Sequence, residues 1–78
     1  MSGEEYKVRT YSNEVLNVKI GNKYGGEGYS GITDGVDVKG ILTEVDDIHS
    51  SATIINEKGV HCAIKLRSLY EISNNVNN

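Results

Sequence analysis

His61 and Cys62 stand side by side, the residue types of a thiol nucleophile and its general base. The run Val60-His61-Cys62-Ala63-Ile64-Lys65-Leu66 alternates without error. It puts Val60, Cys62, Ile64 and Leu66 on one face and His61, Ala63, Lys65 and then Arg67 on the other. Successive side chains of a strand point to opposite faces, so the imidazole and the thiol cannot meet. Cys62 reads as a small core residue and His61 as a solvent-facing one. His49 lies close to Asp46 and Asp47, two carboxylates and an imidazole within four residues. That is not the spacing of a zinc or calcium site, and the segment reads as a solvated turn. Gly26-Glu27-Gly28-Tyr29-Ser30-Gly31 fits the spacing G-x-G-x-x-G. A dinucleotide fingerprint needs a helix N-terminus directly after it, and no helical pattern follows. Ser30, Ser50 and Ser51 have no positioned base. The expectation is a non-enzymatic protein, with no catalytic residue, no bound metal and no cofactor.

The elements that would carry these residues must come from 78 residues, enough for one domain. Hydrophobic residues make up 37% and charged residues 24%, and all aromatics are tyrosines, five of them. No apolar stretch approaches the ~18 residues of a membrane span, so no membrane partner is expected. A lone cysteine excludes a disulfide scaffold and, with no signal sequence, favours a cytoplasmic location. Eight basic residues against eleven acidic give a net charge of −3. The cations are scattered along the chain, which disfavours nucleic acid as a partner, although a strand pair could gather Lys7, Arg9 and Lys19.

The composition and patterning predict an all-β chain. The polar ends, residues 1–5 and 73–78, read as disordered, leaving 6–72 as the single domain. Residues 51–56 and 60–66 form a hairpin across Asn56-Glu57-Lys58-Gly59, a turn that Gly59 closes at positive φ. Residues 36–46 make one long strand whose alternation slips near Gly40, which predicts a bulge or bend there. Residues 15–20 form a strand with Leu16, Val18 and Ile20 on one face, and 6–11 an additional strand. Leu69 and Ile72 suggest a 3₁₀ turn leading into a last short strand. The expected core is Leu16, Val18, Ile20, Val38, Leu42, Val45, Ile54, Cys62, Ile64 and Leu66. Residues 21–35 contain six glycines and read as a long loop of the kind that often carries function.

This order of strand, long loop, bent strand, short loop, strand, tight hairpin, strand, 3₁₀ turn and short strand resembles the SH3-like barrel. Gly40-x-Leu42-x-x-Val45 is similar to the glycine and strand core of its KOW variant. The resemblance implies a small antiparallel barrel of five to six strands with a long glycine-rich first loop. The chain has neither tryptophan nor proline, so the resemblance implies the barrel and not proline-ligand recognition. In size and style the chain is also similar to small accessory proteins of bacteriophages that inhibit or modulate host proteins.

The expected function is a protein-binding module whose partner is another protein. Tyr24 and Tyr29 in the long loop, with Asp46, Asp47 and His49 on a neighbouring one, are the candidate contact residues, because tyrosine offers large contact area at little entropic cost. A second reading of the two rings, as plugs for the barrel mouth, stays open. Two further functions are weighed: a KOW-like accessory touching RNA or DNA through Lys7, Arg9, Lys19 and Lys23, and a homo-oligomer pairing through the strand Tyr6 to Tyr11.

Overall fold

Residues 4–72 are described by a computed structural model, in which seven short strands carry the chain. They are β1 (Glu5–Arg9), β2 (Val15–Lys19), β3 (Lys23–Glu27), β4 (Asp37–Asp46), β5 (Ser51–Ile55), β6 (His61–Lys65) and β7 (Tyr70–Glu71), with 3₁₀ turns at Gly31–Thr33 and Leu66–Ser68. All strand pairs are antiparallel, in a two-stranded sheet β1-β2 and a five-stranded sheet ordered β6-β5-β4-β3-β7. The class is all-β, as the alternating runs require. Residues 1–3 and 73–78, read from sequence as disordered ends, lie outside the described residues. Glu4 and Glu5 do not belong to such an end: the Glu4 carbonyl accepts the Ile20 N–H at 2.8 Å, and Glu5 opens β1. No helix among the described residues is long and apolar enough to cross a membrane.

The β5–β6 hairpin forms where the alternation places it. Gly59 sits at φ +79°, donating its N–H to the Asn56 carbonyl at 2.9 Å, and Asn56 Oδ1 accepts the N–H groups of Lys58 and Val60. Val60 departs from the pattern. It falls in the turn, before the first residue of β6, and is 52% exposed. In β4 the register shifts between Leu42 and Glu44, the bulge expected beyond Gly40. Gly40 itself is required by a close approach, since a Cβ there would collide with the Ile55 carbonyl. The bend lets the first half of β4 pair with β3 and the second half with β5.

Two expectations are corrected. Residues 21–35 are not one long loop, because β3 runs through their middle, paired with β4 along one side and with β7 at Tyr24 and Gly25. Its glycines make room for neighbours. The Tyr70 ring lies across Gly25, and the Ile64 side chain fills the space where a Gly26 Cβ would stand. The barrel is also not closed. The five-stranded sheet curls until Gly28, just past β3, bridges to Ile64 of β6 and the Tyr29 N–H reaches the Ala63 carbonyl at 2.9 Å. The first two strands pair with each other and stand as a separate sheet.

One core joins the two sheets. Val8 and Val18 of the small sheet cluster with Leu42, Ile54, Ile64 and Leu66, while Leu16, Ile20 and Val45 pack at its margin, half-buried. Val8, Ala52, Leu69 and Tyr24 belong to the core although the strand patterns did not single them out. Cys62 is buried among them, with His61 exposed on the opposite face.

Candidate functional site

β4 ends at Asp46, whose carboxylate organises the turn that follows. Asp46 Oδ1 accepts the N–H groups of Ile48 at 3.1 Å and His49 at 3.2 Å, and Oδ2 meets His49 Nδ1 at 2.8 Å. This is an aspartate's usual way of closing a turn, here reinforced by an imidazole. The hydrogen bond from His49 holds the Asp46 carboxyl below the ordinary aspartate range. Its contribution to the turn is therefore in place above the ordinary carboxylate pKa of about 4 and is lost as pH falls through the lowered folded value. Ser50 completes the turn at φ +53°, and its carbonyl accepts the Leu66 N–H at 2.9 Å, tying the turn to the end of β6.

Tyr29 approaches the same corner from the other side. Residues 28–36 form a compact loop closed on itself: the Gly28 N–H bonds the Val36 carbonyl at 2.8 Å, the Val36 N–H bonds the Thr33 carbonyl at 2.9 Å, and Thr33 Oγ1 donates to the Ser30 carbonyl at 3.0 Å. Because Gly28 is bridged to β6, Tyr29 is directed toward the β4–β5 turn, and its hydroxyl donates to the His49 carbonyl at 3.4 Å. Ile32, at the tip of this loop, is 98% exposed, and Ile48, beside His49, is 89% exposed. They are the two most exposed large apolar side chains among the described residues, on the two loops that Tyr29 links.

Of the five residues expected at a contact surface, Tyr29, Asp46 and His49 thus come together. Asp47 turns elsewhere. With Glu4 and Glu44 it adds negative charge around Tyr6, whose hydroxyl donates to Glu4 Oε1 at 2.6 Å and is raised above the ordinary tyrosine pKa chiefly by that bond. Tyr24 is interior, 4% exposed, and its hydroxyl accepts the Lys19 N–H at 2.8 Å. Of the two readings of its ring, packing within the fold describes it, and the polar tip joins β3 to β2. Among the described residues no three His, Cys, Asp or Glu side chains converge as metal ligands. Ile32 and Ile48 were missed by sequence reasoning. The available signal was one isoleucine in each polar loop, with no alternation partner that would draw it inward.

No family model, curated protein or solved structure matches the chain.

Proposed function

We propose that the protein is a non-enzymatic binding module for another protein, and that the corner built by residues 28–36 and the β4–β5 turn is its contact surface. The observation that carries this reading is the pair Ile32 and Ile48, displayed almost wholly to solvent on two loops that are internally hydrogen-bonded. Ordering a loop costs backbone entropy, and an ordered loop that presents an isoleucine has that cost met before a partner arrives. Tyr29, 43% exposed and bonded through its hydroxyl to the His49 carbonyl, adds an aromatic anchor.

The test is affinity capture with the protein and with an Ile32→Ser, Ile48→Ser double variant, compared by mass spectrometry, with melting temperature measured on both. A partner retained by the unsubstituted chain and lost by the double variant at unchanged melting temperature is the expected result. Identical capture by the two chains would overturn this reading.

The nucleic-acid reading has one observation in its favour. Lys7, Arg9 and Lys19 share the outer face of the β1–β2 sheet, but Glu5 lies directly opposite Lys19 and the Arg9 guanidinium is turned to Asn13. A gel shift at two salt concentrations separates it from protein binding.

A further inference from the structure

On another face, the β1–β2 connection stands beside the 3₁₀ turn Leu66–Ser68 and β7, leaving an open groove of about 640 Å³. Its walls are fixed by short bonds. The Tyr11 N–H donates to the Arg67 carbonyl at 3.0 Å, Arg67 Nε donates to the Arg9 carbonyl at 3.1 Å, and the Arg67 guanidinium lies 5.5 Å from the Tyr11 ring centre. The Tyr70 ring lines the groove, lying over Gly25 with its hydroxyl on Asp37 Oδ1 at 2.7 Å, and remains 40% exposed.

The charge of this groove is one-sided. Four carboxylates line it, Glu14, Glu27, Asp37 and Glu71, against the single guanidinium of Arg67. Glu27 is answered by Lys65 at 3.1 Å and Asp37 by Lys39 at 3.7 Å, while Arg67 is engaged by Tyr11 and the Arg9 carbonyl. Among the described residues neither Glu14 nor Glu71 forms an ion pair. A pre-formed channel with an exposed aromatic ring and unanswered carboxylates complements a chain that carries ammonium or guanidinium groups along an extended backbone. Such groups gain from both the carboxylates and the ring faces. The geometry points to this groove as the seat of a lysine- or arginine-bearing extended segment of a partner protein. It is a second contact site, which meets the loop of the Tyr29 corner only at Gly35 and includes neither Ile32, Ile48 nor Tyr29. A nucleic-acid strand would meet repulsion here.

Full-length protein labelled for NMR is titrated with a synthetic peptide of alternating lysine and alanine, with a glutamate–alanine peptide and a single-stranded oligonucleotide as comparisons. Saturable binding of the lysine peptide alone is expected, with amide shifts at Ser12, Leu16, Gly26 and Tyr70. The affinity should weaken with salt, because the screening length shrinks from ~30 Å at 0.01 M to ~3 Å at 1 M. Glu14→Gln and Glu71→Gln, both on the surface, should each lower it about two- to fivefold. The Ile32→Ser, Ile48→Ser variant should bind the peptide as the unsubstituted chain does, so failure here leaves the corner's role standing. The proposal is overturned by absent binding, by equal binding of the glutamate peptide or the oligonucleotide, or by shifts confined to the Asp46–His49 turn.

Discussion

Tyr70 reaches across the outer face of β3 from β7 to Asp37 of β4, and its hydroxyl is held there as a donor. Ionising it would turn the donor into an anion beside a carboxylate, so the hydrogen bond raises the Tyr70 pKa above the ordinary value. A group whose folded pKa is raised stabilises the fold fully below the unfolded value, about 10 for tyrosine, and loses that contribution as pH rises through the folded one. The Tyr70 Cζ resonance should accordingly titrate above the ordinary tyrosine range. In Asp37→Ala it should return toward that range, with the Tyr6 resonance, governed by Glu4, left in place. An unchanged Tyr70 titration in Asp37→Ala would show that the bond does not persist in solution.

Among the elements, β3 depends most on residues distant in the chain. Gly25→Ala should destabilise the protein by about 1–3 kcal/mol, the usual cost of overpacking, because its methyl group would enter the Tyr70 ring. In a Tyr70→Ala background the same substitution should cost little, and the difference between the two, read by urea denaturation, is the coupling of the pair. Equal costs in both backgrounds would place the ring elsewhere. This dependence also explains what the sequence could and could not disclose. The β5–β6 hairpin was legible because its alternation and its Asn56–Gly59 turn are local. The bend in β4 was legible because Gly40 marks it, although the Ile55 carbonyl that demands the glycine is not visible from the sequence. β3 was illegible, since Gly25 and Gly26 carry no side chain to alternate and take their cover from Tyr70 and Ile64. In the candidate site, Asp46 and His49 could be paired from their spacing. The arrival of Tyr29 could not, because it follows from the bridge between Gly28 and Ile64.

Across the whole molecule, Ile64 occupies the point where these dependencies meet, fully buried, against Gly26 and bridged to Gly28. Ile64→Ala should cost about 2–5 kcal/mol, lost burial and cavity together. Small domains hold only about 5–15 kcal/mol in all, so the variant should show a large fall in its denaturation midpoint. Because Val8 and Val18 share the core with Ile64, the small sheet should melt with the large one, and circular dichroism and tyrosine fluorescence should report a single transition. A loss below about 1 kcal/mol, the size of a surface change, would contradict the packing described.

The pairing of β3 with β7 joins an early segment to one of the last described residues. On the ribosome, where chains emerge N-terminus first at about 5–20 residues per second, β3, β4, β5 and β6 are synthesised before Tyr70 exists to cover Gly25. Until then β3 has β4 on one side and bare backbone on the other. A nascent chain halted before residue 70 therefore carries an unfinished sheet edge, and β3 is covered only once Tyr70 has been added.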